Sequence, residues 1–293
     1  MQISNGVKIA IIVDSVCAPT KEQIEKYRLE IVPVNVRFEG RVYRDFIDLT
    51  AAQAYQFLEK NPDDWATSAP APGDFLSAYK KVIENGAKEI LCLTLSQKIS
   101  ATYNSARMAK ETLKTDFPDV RIEVVDTETV AGAETLLCLA AVQAREKGKN
   151  FEEIIQLIEN LKKKVRVFII LETIRYIYRS GRIPEMASKI GTFLPLKPIL
   201  TISEGLLRFA GATISKQKSI EKVLRILQKK WDEMLPEISI MHADCLTEAE
   251  ELKKKVNQLL PSSQIFISEC SPIIGYATGR GTLLIAFFCQ VNL

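Results

Sequence analysis

Residues 89–114 read EILCLTLSQKISATYNSARMAKETLK. The first seven, Glu89 to Leu95, form a short apolar run of strand length, as expected of a strand covered on both faces. Ser96 to Ser100 is a polar break. From about Ala101 to Lys114 the stretch reads as a helix. A strand, a short polar loop and a helix make the repeating unit of a parallel α/β fold, and the same unit recurs on either side. Lys8–Val13 reads as a strand followed by a helix over Thr20–Tyr27, capped by Thr20. Ile31–Arg37 reads as a strand followed by a helix from Thr50, where Thr50 and Gln53 have capping-box spacing. Pro72 opens a helix that runs to about Glu84, with Gly86 as its stop. Arg121–Val125 is a strand that leads to a helix over about Gly132–Lys147, ended by Gly148. The pattern predicts an α/β fold whose first part is a mostly parallel sheet with helices on both faces.

The rhythm changes after the helix Phe151–Lys163, which Asn150 and Glu153 mark as a second capping box. Arg166–Leu171 is a strand, and Ile174–Ser180 and Pro184–Phe193 are helical. Pro198–Ile202 and Leu206–Ala210 are strands joined by Glu204-Gly205, a hairpin signal that makes the second sheet mixed or partly antiparallel. A long helix over about Ile214–Met234, a strand at Ile238–His242, a helix at Thr247–Leu260, a strand at Gln264–Ser268 and a last strand within Thr282–Val291 complete it. A chain of 293 residues is long enough for two such units, expected at 1–163 and 164–293.

Charge and composition exclude several classes. There are 39 Lys and Arg against 36 Asp and Glu, a net charge of +3, too little to hold nucleic acid or an anionic membrane. Lys162-Lys163-Lys164 and Lys253-Lys254-Lys255 sit on helices among acidic residues and read as solvated faces. Six cysteines form no CxxC pair and read as reduced core residues. The N-terminus lacks the pattern of a secretory signal, and the apolar runs fall short of the roughly 20 residues of a membrane span. The expected location is therefore the cytoplasm, with no stable membrane insertion.

In open α/β sheets, ligands bind beyond the carboxyl ends of the strands. Asp14-Ser15, Ser96 to Thr102 and Asp126 to Thr129 all follow strands, and Thr67-Ser68 lies in a fourth loop. Ser100, Ala101 and Thr102 place two hydroxyls where a helix begins, and the unpaired N–H groups there suit a carboxylate or phosphate. Ser100 as a plain N-cap is the competing reading, and Asp14 and Asp126 read equally as strand-end caps. His242 is the one histidine and has no GxSxG nucleophile elbow to serve. There is no P-loop, no GxGxxG opening the first helix and no cluster with metal-ligand spacing, so no catalytic residue, metal or cofactor is expected. GYATGRG, Gly275 to Gly281, is either an anion cradle or a tight turn before the last strand.

Six segments in order, spanning nearly the whole chain, resemble the DegV family of fatty-acid-binding proteins. They are IIVDS at Ile11–Ser15, TSAPAP at Thr67–Pro72, LTLSQKISATYNSA at Leu93–Ala106, VVDTETVAGA at Val124–Ala133, YRSGRI at Tyr178–Ile183 and LKPILTISEG at Leu196–Gly205. The serine-rich third segment is the most specific. The resemblance implies two α/β domains enclosing one long-chain fatty acid such as palmitate, stearate or oleate. Its carboxylate would be bonded by Thr67 and Ser100, with Ser68, Ala101 and Thr102 completing the clamp, and Arg182, Ala277 and Thr278 at the same site. It also implies a bacterial carrier subunit, not itself an enzyme, that presents the acid to a separate fatty acid kinase. An acyl hydrolase or phosphotransferase-like enzyme at the same site is the alternative.

Three departures stand out. Ala101 replaces the glycine of the SGT motif, and Ser180 the first glycine of GGR. In GYATGRG, Ala277 and Arg280 stand where the family has histidine and proline. The missing histidine bears on presentation to a kinase more than on lipid binding, and Arg280 brings a charge of its own.

Overall fold

The computed structural model describes residues 8–61, 64–183 and 196–289. Strand β1 (Ile9–Asp14) is buried along its whole length, as a strand covered on both faces must be. It pairs in parallel with β2 (Glu30–Val32) and with β6 (Glu89–Thr94), and β6 pairs in parallel with β7 (Arg121–Asp126). The sheet order is β2-β1-β6-β7. Period-two alternation sends Ala10 and Ile12 to one face, where they meet Phe75 and Tyr79 of α3 (Pro72–Glu84) and Ala106, Ala109 and Leu113 of α4 (Thr102–Leu113). Ile9, Ile11 and Val13 go to the other face, against α5 (Ala131–Glu146).

The second sheet has six strands in the order β10-β9-β8-β13-β11-β12. These are β8 (Val165–Ile170), β9 (Lys197–Ser203), β10 (Leu206–Thr213), β11 (Glu237–His242), β12 (Gln264–Glu269) and β13 (Leu283–Phe288). Only β11 and β12 run parallel; the other neighbours are antiparallel, so the sheet is mixed. The expected hairpin joins β9 to β10, with Glu204 and Gly205 both at positive φ (52° and 74°), as a tight two-residue turn requires. Helices α8 (Lys216–Lys230) and α9 (Leu246–Leu259) cover its outer face.

Helix α5 binds the two sheets together. It packs on β1 and β6 on one side and on β8, β11 and β13 on the other. Its apolar residues therefore run all round the helix rather than in one stripe. Gly132 is required for this fit, because a Cβ there would lie 2.6 Å from Ser239 Oγ. Helix α6 (Phe151–Lys162), started by the Asn150–Glu153 capping box, then carries the chain into β8. One apolar cluster runs from Ile11 of the first sheet through Leu137 of α5 to Leu284 of the second.

The structure departs from the sequence reading in three places. The strand expected at Ile31–Arg37 is broken at Pro33, which has no N–H to donate to a ladder. Its first half is β2, and its second half, β3 (Asn35–Phe38), turns into a small antiparallel sheet of order β4-β3-β5 with β4 (Arg41–Arg44) and β5 (Ala66–Ser68). Thr67 and Ser68 are therefore strand residues opposite Val36 and Asn35 rather than loop residues. The Gly275–Gly281 stretch is mostly helix: α10 (Pro272–Thr278) starts on Pro272, and only 279–281 form the turn, with Gly279 and Gly281 at positive φ. The remaining helices are α1 (Lys21–Tyr27), α2 (Ala51–Lys60) and α7 (Arg175–Arg179), and Ser15–Cys17 forms a single 3-10 turn. The helix expected at Pro184–Phe193 lies outside the described residues.

Candidate functional site

The parallel sheet ends in a row of loops, and Asp14 organises the first of them. Its buried carboxylate accepts the N–H of Val16 at 3.0 Å and of Leu95 at 2.8 Å, tying the end of β1 to the end of β6. Asp126 does the same one strand along, with Oδ1 accepting from Gln97 N at 3.2 Å and Glu128 N at 2.9 Å. Both aspartates are thus backbone acceptors that shape loops. Burial raises the Asp14 carboxyl to about 7. Glu134, fully buried on α5, is pushed well above the ordinary carboxylate range by burial and then by the Asp14 charge.

Beyond these loops lies a cavity of about 300 Å³, a volume at the lower end of the roughly 300–1,000 Å³ usual for ligand pockets. One wall comes from the parallel half and the small sheet: Val16, Val34, Thr67, Ser68, Ala69, Leu95, Ile99, Ser100, Ala101 and Val130. The other comes from Ile169 of β8, Ile177 of α7, Ser180, Arg182, Leu207 of β10 and the α10 residues Ile273, Ile274, Tyr276, Ala277 and Thr278. The hairpin is held against the first wall, with Ser96 Oγ donating to Gly205 O at 2.7 Å and Lys98 Nζ to Glu204 O at 2.8 Å.

Seven of the eight residues singled out from the sequence line this one cavity: Thr67, Ser68, Ser100, Ala101, Arg182, Ala277 and Thr278. The eighth, Thr102, is fully buried just behind, with its Oγ1 2.8 Å from Ser100 Oγ. Ser100 is not the N-cap of α4. Ala101 holds that position and makes no side-chain cap bond, while Ser100 Oγ meets only Thr102, accepting its N–H at 3.4 Å and sharing a hydrogen bond with its hydroxyl. The hydroxyls of Thr67 and Ser68 have no hydrogen-bond partner among the described residues. Thr278 Oγ1 is committed to Ile274 O at 2.7 Å, and Ser180 Oγ to Ile177 O at 2.7 Å. Arg182 folds back onto the Ser180 carbonyl.

Arg280 does not serve the cavity. Its guanidinium is paired with Glu59 and Asp244 and does not line the space. His242 is buried at the end of β11, its pKa lowered by burial, and it too is absent from the lining. Among the described lining residues Arg182 and Tyr276 are the only ionisable ones, so Ser100 has no general base beside it there. The described residues contain no group of three or more His, Cys, Asp or Glu that could hold a metal ion. None of the described helices is long and apolar enough to cross a membrane.

Comparison with known proteins places this architecture. The DegV family model matches residues 8–290. The chain belongs to the DegV family. A DegV domain-containing protein of Clostridium acetobutylicum is 27% identical over 282 residues, covering 96% of this chain and 99% of that relative. A DegV family protein of Thermus thermophilus, solved as a fatty-acid-binding protein, is 26% identical with a TM-score of 0.84, over 96% of this chain and 99% of that one. A stearic-acid-binding protein of Eubacterium ventriosum is 25% identical with a TM-score of 0.85, over 96% and 98% of the two chains.

What the sequence did not single out in this DegV chain is the aliphatic half of the cavity. Ile169, Ile177 and Leu207 carry no signal of their own, because an aliphatic residue facing a cavity and one packed in a core follow the same periodicity.

Proposed function

We propose that this protein binds one long-chain fatty acid, with the acyl chain in the cavity between the two sheets and the carboxylate at its Thr67–Ser100 end. The observation that carries the reading is the asymmetry of the cavity. Aliphatic side chains line most of it, and unpartnered hydroxyls and an uncapped helix start gather on one side. The solved relatives that bind fatty acids support the same ligand class. Thr67, Ser68, Ser100 and Thr102 would donate or relay hydrogen bonds to the carboxylate. The Ala101 backbone lies at the start of α4, Arg182 supplies charge at the rim, and Ala277 and Thr278 close the far side.

Apolar burial dominates the energetics. About fourteen methylenes at roughly 0.8 kcal/mol each supply about 11 kcal/mol before ordering losses. Each hydrogen bond to the charged carboxylate adds on the order of 1.5–3 kcal/mol and fixes direction. Binding without turnover fits a lining in which no base adjoins Ser100. The test is native mass spectrometry of the gently purified protein together with melting in palmitate or oleate. Retained acid and a raised Tm are expected; neither lipid nor a shift would overturn the reading.

Delivery of the acid to a separate kinase in the cytoplasm is the second part of the proposal. It rests on family membership, and the Ala277 position bears on it directly. Reconstitution with a fatty acid kinase and ATP, followed by acyl phosphate formation, tests it: no turnover with lipid-loaded protein would remove the carrier role and leave the binding role intact.

A further inference from the structure

Behind the fatty-acid cavity lies a second pocket, of about 320 Å³, that the proposed function does not use. The two share a partition, built from consecutive residues that face opposite ways. Val16 and Val34 line the first, and their neighbours Ser15 and Pro33 line the second. A buried polar chain seals the partition: Ser15 Oγ donates to Asp45 Oδ2 at 2.7 Å and accepts the Val34 N–H at 3.0 Å. An alkyl chain crossing there would leave these groups unsatisfied at a cost of about 1–3 kcal/mol each. The second pocket is therefore a separate compartment.

Its chemistry differs from that of the first. Ile24, Ile31, Phe46 and Ile47 give it apolar walls, and Asp45 is its buried acid. Asp45 is 0% exposed, and its Oδ1 has no hydrogen-bond partner among the described residues. Burial raises the group to about 7, with the Asp14 charge adding to it; the Ser15 hydrogen bond lowers it most, and Ser271 and the Phe46 amide lower it further from positions too far or too bent to complete a bond to Oδ1. A buried acceptor without a partner is costly and marks a place where a donor fits. The mouth is also unusual. Phe46 and Ile47 are 48% and 58% exposed, and Phe46 sits at φ 61°, a backbone conformation that bulky residues rarely adopt. Strain of this kind persists where the surrounding structure holds it, and functional sites collect it. Lys21 at the rim is exposed, so solvent screens its charge far more than that of the buried carboxylate.

We infer that this pocket is a second ligand site, taking a small amphiphile with a primary ammonium head, the head on Asp45 and the short apolar tail against Ile24, Ile31 and Phe46. The ammonium supplies both the missing donor and the missing countercharge, and the tail covers Phe46 and Ile47.

Calorimetric titration of the full chain with hexylamine, hexanol and hexanoate at mildly alkaline pH tests this, with native mass spectrometry reporting the fatty acid in the first cavity. Hexylamine should bind best and hexanoate not at all. Asp45→Asn should weaken hexylamine by roughly tenfold or more. Ile24→Trp, at a half-buried position that tolerates a larger ring, should abolish binding by filling the space, and it keeps the test open should Asp45→Asn not fold. Retained fatty acid in every case separates this site from the first. Equal binding of hexanoate, insensitivity to both variants, or displacement of the fatty acid by hexylamine would overturn the inference.

Discussion

The two walls of the cavity between the sheets are made of different chemistry and follow from different parts of the fold. The wall from the parallel half is where strands end and helices begin, so hydroxyls and open N–H groups collect there. The wall from the mixed sheet is the inner face of strands and two short helices, and its hydroxyls, Thr278 and Ser180, are committed to the Ile274 and Ile177 carbonyls, so that beyond Arg182 and Tyr276 it offers carbon. The contrast separates direction from affinity. Under the proposed function, unpaired hydroxyls on one side would orient a head group, whereas aliphatic side chains would supply most of the free energy.

Mutations on opposite walls should break that contrast in different ways. Leu207→Asp, a carboxylate set into the aliphatic wall, should weaken fatty acid binding by about a hundredfold or more, since it removes apolar burial and adds an anion opposite an apolar chain. Displacement of a fluorescent fatty acid would measure this, and an effect under about tenfold would show that the wall does not carry the affinity. On the other wall, Thr67→Val and Ser100→Ala should each cost about tenfold, in proportion to one charge-assisted hydrogen bond. The dependence on chain length should survive both changes; its loss would merge the two roles.

The polar wall also rests on buried acids, which gives it a pH signature. Asp14 and Asp45 are raised from 3.8 to about 7 by burial. Between those values the folded chain holds protons that the unfolded chain has released. Stability should therefore fall as pH rises from about 4 to 7 and level off above. Surface carboxylates lowered by their partners, such as Asp48 beside Arg44, oppose this only at the acid end. His242, held below its ordinary 6.5 by burial, opposes within the same window, so thermal melts should show a net gain of only about 1 kcal/mol from pH 7 to 5, reduced in Asp45→Asn. A Tm that climbs steadily with pH would contradict the placement of these groups. The smallest effect on lipid affinity is expected at Ala277→His, within about fivefold, because it adds at most one neutral hydrogen bond. Its informative readout is acyl phosphate formation with a kinase, which should rise if the residue at this position acts in delivery.

The same contrast explains what could be read in advance. That Thr67, Ser68 and Ser100 face a cavity was legible because polar residues at strand ends and helix starts are conspicuous against apolar runs, and Ala101 comes with Ser100 as its neighbour. Thr102 was legible too, although it backs the site rather than lining it. The break at Pro33 and the three-residue strand Ala66–Ser68 were not, since pairings so short have no periodicity to detect. Helix α10 was hidden by Gly275, which sits against Tyr55: a Cβ there would lie 2.5 Å from the ring. That glycine serves close packing, which in a sequence reads as a turn. Where the Arg280 charge goes was not legible either, because an ion pair depends on what the fold brings near, here Glu59 and Asp244.

By itself the sequence determined the order of the longer strands and helices, the parallel character of the first sheet, the hairpin in the second and the hydroxyl residues that face the cavity. All of these follow from local periodicity, capping and turn chemistry, which act over a few residues. Tertiary structure alone decided that α5 would lie between two sheets, that Ile169 and Leu207 would face a void rather than a neighbour, and that Ser15 and Asp45 would seal one pocket from another. Such outcomes depend on how distant surfaces meet, because an apolar side chain has the same local pattern whether the space opposite it is filled or empty.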